Sequence, residues 1–281
     1  MPDLKARLPA LLFFATVLTT LGAGAVLAGA DPFAEPAALL EGAPFSVALL
    51  LILGAHECAH YLTSRRHGVR STLPLFIPAP TLAGTFGAVI RIESPIPDRR
   101  SLLEIGLAGP LAGFLVALPL AVAGLRLSHV VPHGPAASEG AGGGLALGTS
   151  LVFSLLERLV HGPLADQTTL VLHPVAFAAW IGFFVTAINL LPVGQLDGGH
   201  VLYALAGRRQ EGISRAALLA LAPLGFLWSG WFLWGGMLLL MGPRHPPVLS
   251  EISPLGRREK ALGALGAALL VLTFAPAPFA M

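Results

Sequence analysis

Residues 44–66 read PFSVALLLILGAHECAHYLTSRR, and they place two histidines and a glutamate inside an otherwise apolar run. The run from residue 45 to residue 63 is close to the length that a bilayer-spanning helix needs, about 20 mostly apolar residues. It is interrupted by His56, Glu57 and His60. Ionisable groups at membrane depth are costly and usually mark a functional site. The stretch therefore predicts a membrane helix that carries reactive or metal-binding side chains.

The composition of the whole chain also indicates a membrane protein. Its 281 residues are 55% hydrophobic and 11% charged, whereas an ordinary soluble domain carries roughly 25% charged residues. These values exclude a soluble enzyme, and the single cysteine, Cys58, excludes a disulfide framework. The net charge is only +2 and there is no dense basic run, so we expect the lipid bilayer as a partner and no nucleic acid.

Stretches without charged residues set the expected number of membrane spans. Besides the segment around residue 56, Asp, Glu, Lys and Arg are absent from residues 8–30, 105–125, 167–196, 216–243 and 261–281. We interpret 216–243 as two short passes with a turn near Trp228–Trp231, which gives seven helices; a single pass, and six helices, is the alternative. Residues 8–30 are interpreted as a retained span, with a cleaved signal peptide as the alternative.

The basic residues predict how the chain is oriented. If the N-terminus lies inside and the spans alternate, most arginines and lysines fall on the inner side, as the positive-inside rule requires. The outer side then carries only Arg126 and Arg158 together with six acidic residues. The sequence thus predicts a multi-pass integral membrane protein with a cytoplasmic N-terminus, in the plasma (inner) membrane if the source is prokaryotic.

The inner loop of residues 71–100 contains a second apolar feature. Residues 82–92, LAGTFGAVIRI, are rich in β-branched side chains and contain two glycines, a composition that favours a short strand or hairpin. Because the segment is apolar, we expect it to dip into the membrane, where irregular backbone needs protein or a water-filled cavity around it. A short amphipathic stretch at residues 151–160 is expected at the outer surface.

His56-Glu57-Cys58-Ala59-His60 is an H-E-x-x-H motif. On a helix, residues four apart lie on one face, so both imidazoles are able to reach one metal ion. Imidazole suits Zn²⁺, and the intervening glutamate is placed to take a proton from a metal-held water molecule. Three polar residues satisfied by neighbouring helices would be the structural alternative.

A catalytic zinc site has three protein ligands, so a further ligand is required. Asp197 is the strongest candidate, because it follows the uncharged run 167–196 and lies in the sequence NLLPVGQLDGG of residues 189–199. Proline and glycines in this segment are expected to break the helix and let the carboxylate turn inward. Both this segment and the first motif approach the inner side; an interfacial helix-end residue is the alternative for Asp197.

Other polar and small residues of the predicted core have structural interpretations. Ser101 and Glu104 fit a capping box at the start of the third span. Gly106, Gly109 and Gly113 have the spacing of a close helix–helix contact. His200 follows Asp197 by three residues and is a candidate for support of the metal site.

The two separated motifs together resemble the site-2 protease family of intramembrane zinc metalloproteases. HECAH in one membrane helix is followed by N-x-x-P-x-x-x-L-D-G-G in a later one, and residues 106–113, GLAGPLAG, are similar to that family too. The resemblance covers roughly residues 46–206. Residues 84–87 and the sequence His245-Pro246-Pro247 look more like a branch without a PDZ domain that includes plastid-type members.

The resemblance implies an all-α polytopic membrane fold and a proteolytic function. In this sequence His56, His60 and Asp197 would ligate one Zn²⁺ per chain, Glu57 would be the catalytic base, and Asn189 would contact the substrate. The implied reaction is hydrolysis of peptide bonds in or near the transmembrane segments of membrane-protein substrates, in regulated intramembrane proteolysis. We further expect Gly84, Thr85, Phe86 and Gly87 to contact the substrate, since the strand at 82–92 suits capture of an extended peptide.

Two other functions fit the same residues less well. A metal-binding permease would not need Glu57 between the histidines, and a catalytically silent scaffold of protease descent would usually have lost that glutamate. The expected organisation is an N-terminal helix and outer loop at 1–45, a metalloprotease core at 46–206 and C-terminal helices at 207–281.

Overall fold

The structure, a computed structural model, describes residues 2–132, 146–251 and 254–279. In these ranges the chain is mainly helical, as predicted, with nine α-helices: α1 Pro2–Leu27, α2 Ala43–Arg66, α3 Arg99–Arg126, α4 Leu151–His161, α5 Pro174–Asn189, α6 Asp197–Ala206, α7 Gln210–Leu224, α8 Gly230–Met241 and α9 Arg257–Thr273. Four short strands accompany them: β1 Leu75–Pro78, β2 Thr85–Val89, β3 His129–Pro132 and β4 Thr168–Val171. Two 3₁₀ turns lie at Pro36–Gly42 and Gly207–Arg209.

Three segments of the described chain are long and apolar enough to cross a membrane. They are Arg7–Leu27, Pro36–Arg66 and Arg99–Arg126. Helices α5 and α8 are apolar but have only 16 and 12 residues, which at about 1.5 Å per residue is shorter than the bilayer core. The structure therefore supports three of the expected spans, and the total of six to seven stays a prediction.

A break in the helix before Asp197 explains part of the difference between the expected and the supported number of spans. Helix α5 ends at Asn189, and the chain crosses a loop before α6 starts at Asp197. Pro192 and Gly194, the latter with φ +53°, lie in that loop. Similarly, the segment 216–243 contains two helices joined by a turn at residues 225–229, so the turn expected in this region is confirmed.

Helix α3 forms the centre of the bundle and packs against α2, α5 and α6. One group of buried side chains joins α2, α3 and α5, and it includes Leu49, Ile52, Ala117, Ala121, Phe177 and Phe183. A second group joins α3 to α6, and it includes Leu102, Leu107, Val201 and Tyr203. The polar residues of the two sequence motifs face each other across this part of the bundle.

The predicted hairpin near residues 82–92 is confirmed. Strands β1 and β2 pair antiparallel, with Leu75 opposite Val89 and Phe76 opposite Ala88. Helix α1 packs against this hairpin, since the rings of Phe13 and Phe76 are 5.1 Å apart. A second antiparallel pair, β3 with β4, links the segment after α3 to the segment before α5 and was not predicted from the sequence.

The start of α3 corrects one sequence-based expectation. The helix begins at Arg99, and the Oδ1 atom of Asp98 accepts a hydrogen bond from the backbone N–H of Ser101 at 2.8 Å. Asp98 is therefore the cap, and the capping box of Ser101 and Glu104 is wrong, because an aspartate at the N-cap position already satisfies that donor. Glu104 instead accepts hydrogen bonds from His67 at 3.0 Å and Arg100 at 3.2 Å.

Candidate metal centre

The structure brings His56, His60 and Asp197 to one point between α2 and α6. The Nε2 atoms of the two histidines are 3.1 Å apart, and the Oδ2 atom of Asp197 lies 3.2 Å from His56 Nε2 and 3.3 Å from His60 Nε2. Their side chains are 5%, 7% and 14% exposed. In the described part of the chain, no other cluster of three His, Cys, Asp or Glu side chains has its ligand atoms this close together.

These three donors fit a zinc ion. Two imidazole nitrogens and one carboxylate oxygen are a common catalytic zinc ligand set, and ligand atoms about 2.1 Å from a tetrahedral ion lie about 3.4 Å apart. The observed separations of 3.1 to 3.3 Å agree with that value to within a few tenths of an ångström. Three protein ligands also leave one coordination position for water or substrate.

The backbone of α3 orients the second histidine. His60 Nδ1 lies 2.8 Å from the carbonyl oxygen of Ile105. Because a carbonyl oxygen only accepts, Nδ1 must carry the proton, and the lone pair of Nε2 is then free to bind a metal. This partner was not predictable, since a backbone carbonyl has no signature in the sequence.

Glycines on α3 make room for both imidazole rings. A Cβ atom at Gly109 would collide with the ring of His60, and one at Gly113 would lie 3.3 Å from His56 Nδ1. The spacing predicted a close helix–helix contact, and the structure confirms it. The packed atoms are those of the histidines that carry the candidate ligand nitrogens.

The loop before α6 positions the candidate carboxylate ligand. Asp197 is the first residue of α6, where the helix N-terminus stabilises negative charge by about 0.3–1 kcal/mol. Side chains at Gly198 and Gly199 would collide with backbone oxygens of the loop, those of Leu190 and Gly194 among them. The two glycines therefore allow α6 to start directly on this loop and place Asp197 opposite α2.

The remaining predicted catalytic residues lie around the same point. Glu57 Oε1 is 3.9 Å from His56 Nε2, and the backbone of Ile90, just after β2, lies against the Glu57 carboxylate. Asn189 Nδ2, at the end of α5, is 3.4 Å from His56 Nε2. Thus Glu57 and Asn189 flank the candidate metal ligands. The backbone at the end of the β-hairpin lies next to the Glu57 side chain.

The four residues predicted to contact substrate divide into two pairs. Gly84, with φ +72°, packs against the backbone of Thr19 in α1, and the Thr85 hydroxyl donates to the carbonyl oxygen of Ile77 at 2.7 Å. Phe86 is 73% exposed, and no atom lies within 4 Å of a Cβ built on Gly87. The first pair therefore shapes the hairpin, whereas the second lies on its open surface; contact with substrate stays a prediction for all four.

The site combines two buried histidines, a facing aspartate and a glutamate inside a helical, apolar bundle. These features define a membrane protein with a candidate metal centre of the H-E-x-x-H class. Comparison with known proteins makes this assignment specific. A family model described as Peptidase family M50 matches residues 44–228. The chain belongs to this family.

Relatives in plants agree with the family assignment. The chain is 35% identical over 251 residues to the probable zinc metalloprotease EGY1, chloroplastic, of Oryza sativa subsp. japonica, covering 87% of this chain and 42% of the relative. It is 31% identical over 244 residues to the probable zinc metalloprotease EGY2, chloroplastic, of Arabidopsis thaliana, covering 86% and 43%. The chain thus spans less than half the length of these relatives. No solved structure matches it.

Proposed function

We propose that this protein is an intramembrane zinc metalloendopeptidase that cleaves membrane-protein substrates in or near their transmembrane segments, with one zinc ion per chain. The observation that carries the proposal is the convergence of His56, His60 and Asp197 beside Glu57 in the buried part of a helical bundle. Membership of peptidase family M50 supports the same reaction class. We also propose regulated intramembrane proteolysis as its role.

The location of the protein is part of this proposal. The distribution of basic residues favours a cytoplasmic N-terminus and, in a prokaryote, the plasma membrane. The plant relatives bear the description chloroplastic in their names. A bilayer-embedded protease is compatible with either membrane.

The three ligand side chains would hold zinc, which when bound polarises a peptide carbonyl and lowers the pKa of a water molecule that it holds. Glu57 accepts the proton of the attacking water and transfers it to the nitrogen of the leaving amine. The backbone N–H of Ile90, which lies next to Glu57, is placed to orient the carboxylate for this task. Asn189 offers an amide N–H to the substrate carbonyl oxygen as negative charge develops there.

The hairpin offers a way to present the substrate. A helical peptide hides its carbonyl groups in internal hydrogen bonds and must unwind before attack. Strand β2 pairs with β1 on one side, and among the described strands its other side has no partner. An unwound substrate segment would add to that edge as a further strand, next to the residue whose N–H contacts Glu57.

Replacement of the proposed base is the decisive experiment. We expect Glu57→Gln to retain zinc and to lose proteolysis, because glutamine has the same shape but does not accept the proton. Metal content and cleavage of a single-span model substrate are measured on the same purified samples, with Cys58→Ala as the control from the same motif. Wild-type protein that holds zinc but cleaves no substrate would favour a silent scaffold, and cleavage by zinc-loaded Glu57→Gln would exclude the assigned base.

A further inference from the structure

The loop between α8 and α9 lies across the helix that carries Asp197. We call residues 243–251 of this loop the strap. Its far end is tied to the segment before α3, because the backbone N–H of Leu249 donates to the Ile96 carbonyl at 3.1 Å. The N–H of Ser250 likewise donates to the Pro97 carbonyl at 2.9 Å. The strap therefore has a defined path over the bundle.

The beginning and middle of the strap are fixed as well. The side-chain amide of Gln210 donates to the carbonyl oxygen of Pro243 at 3.0 Å. Val248 is 7% exposed and belongs to the apolar cluster between α3 and α6. With both ends and the centre held, the strap can act as a support for the helix beneath it.

Two side chains of the strap contact α6 directly. His245 Nε2 is 2.6 Å from His200 Nδ1, and the His245 ring stacks on Tyr203 with ring centroids 4.6 Å apart. Tyr203 also donates its hydroxyl proton to Glu251 at 2.8 Å. His200 and Tyr203 follow Asp197 by three and six residues, and residues three apart are neighbours on a helix surface. The contacts therefore begin one turn from the carboxylate ligand.

The histidine pair has a defined proton arrangement. Burial lowers the pKa of His245, which favours the neutral form of its ring at pH 7. Its Nδ1 atom donates to the carbonyl oxygen of Pro246, which leaves Nε2 without a proton. Nε2 of His245 is then the acceptor, and Nδ1 of His200 is the donor.

We propose that His245 is a positioning residue for the ligand Asp197: its hydrogen bond with His200 sets the rotation of α6 about its own axis. The inference rests on the proposed function, because it concerns the third zinc ligand. Arg99 holds the far end of α6 by donating to the carbonyls of Ala204 and Leu205 at 2.6 and 2.8 Å. The Arg99 contact fixes the position of the C-terminal end of α6. The contact at the His200 side chain lies away from the helix axis, so it opposes rotation of α6 about that axis.

This assignment extends the metal centre beyond the part of the chain that the family model matches. That match ends at residue 228, whereas the strap starts at residue 243. Helix α6 has only ten residues, so a small rotation moves the Asp197 oxygen away from the two histidine nitrogens. The strap thereby couples α8 and α9 to the geometry of the ligand set.

The test compares three variants of purified full-length protein by their zinc dissociation constants, measured by competition with a chelator. His245→Phe keeps a ring against Tyr203 but removes the acceptor, and we expect it to weaken zinc binding about tenfold, as loss of a partner behind a ligand does. His245→Gln offers Oε1 in place of Nε2 and should restore most of the affinity. His129→Phe, an exposed histidine on β3, is the matched control and should bind zinc like wild type.

A double-mutant cycle with His200→Phe isolates the pair. If the two histidines act together, the double variant should be no weaker in zinc binding than either single variant. The visible spectrum of the cobalt-substituted protein should change in His245→Phe and return in His245→Gln. Thermal unfolding is recorded alongside, because a merely structural role would lower stability without changing the spectrum.

Several results would overturn the proposal. The first is unchanged zinc affinity in His245→Phe. The second is an equal loss of zinc affinity in His245→Phe and His245→Gln. The third is a loss of zinc affinity in the double variant that equals the sum of the two single losses in free energy. If wild-type protein binds zinc and cleaves substrate while these results occur, only the role of His245 is wrong. If wild-type protein binds no zinc, the proposed function fails together with this inference.

Discussion

At Gly109 the absence of a side chain leaves room for a histidine ring of the candidate metal centre. A Cβ atom there would overlap the His60 ring, whereas one at Gly113 would lie 3.3 Å from His56 Nδ1. The adjacent Ile105 carbonyl accepts the His60 Nδ1 proton at 2.8 Å. The same turns of α3 therefore both orient and accommodate the ligand ring, so substitution at the two glycines should have unequal effects.

We predict that Gly109→Ala lowers zinc affinity by about 100-fold or more, since it displaces a ligand ring rather than a partner behind it. Gly113→Ala, whose added methyl group needs a shift of only a few tenths of an ångström, should lower it less than about tenfold. Chelator competition on both purified variants measures the difference. Equal zinc affinity in the two variants would show that α3 does not determine the position of the His60 ring.

The residues with distinctive chemistry were the ones that the sequence made predictable. His56, Glu57 and His60 stand out because charged and polar groups in an apolar helix are costly, and Asp197 stands out because it ends a long uncharged run. The Ile105 carbonyl and the acceptor nitrogen of His245 were not predictable. Both are identified by distance in the folded chain, and neither has a local sequence pattern.

The β1–β2 hairpin is held between α1 and α2, and this packing places its end beside Glu57. Gly84 has φ +72°, and a Cβ atom there would collide with the backbone oxygen of Thr19. On the other side, the backbone of Ile90 lies against Glu57. A displaced hairpin tip should therefore disturb catalysis without disturbing the three candidate ligands.

We expect Gly84→Ala to remove most proteolytic activity while zinc content stays at the wild-type level, because the added methyl group pushes the hairpin from α1. Gly68→Ala is the control: its φ is +69°, and nothing lies within 4 Å of the added atom. In both variants the alanine must adopt a left-handed backbone conformation, which costs about 1–2 kcal/mol. Equal activity of the two variants at saturating zinc would contradict a role for hairpin position.

Elements with one dominant local signal were predicted well, and those defined by pairing were not. The glycines and β-branched residues of 82–92 predicted the hairpin that the structure contains. The β3–β4 pair joins segments about 40 residues apart and was missed, because strand pairing at that separation leaves no local pattern. The helix break expected from the proline and glycines before Asp197 is confirmed, since Pro192 and Gly194 lie in a loop that separates two helices, whereas the full-length span expected in 167–196 is a helix of only 16 residues.

At the scale of the whole molecule, helix ends rich in arginine meet at one end of the bundle, which we call the arginine side. Arg100 of α3 lies 3.5 Å from Glu259 of α9, and Arg258 of α9 lies 3.7 Å from Glu104 of α3. His67, directly after α2, bonds Glu104 at 3.0 Å. The ends of α2, α3 and α9 that the charge pattern assigned to one side are therefore neighbours in space.

The candidate metal centre lies closer to the arginine side than to the opposite end of α2. Arg65 follows His60 by five residues, about 8 Å along a helix, whereas the start of α2 at Ala43 precedes His56 by 13 residues. We therefore expect the shortest polar path to the candidate centre to start at the arginine side. This side would face the cytoplasm under the positive-inside rule, and a substrate would be cut nearer its cytoplasmic end.

We therefore predict that a membrane-impermeant chelator removes zinc faster from vesicles in which the arginine side faces the chelator than from inverted vesicles. Orientation is established independently with an impermeant thiol reagent on Arg209→Cys and His129→Cys, each in a Cys58→Ala background, since these exposed positions lie at opposite ends of the bundle. Zinc remaining on the protein is measured over time in both preparations. Because ions cross the apolar part of the bundle slowly, the difference reports the length of the polar path. Faster loss from the inverted vesicles would place the opening of the site at the opposite end and would refute the proposed depth of the metal centre.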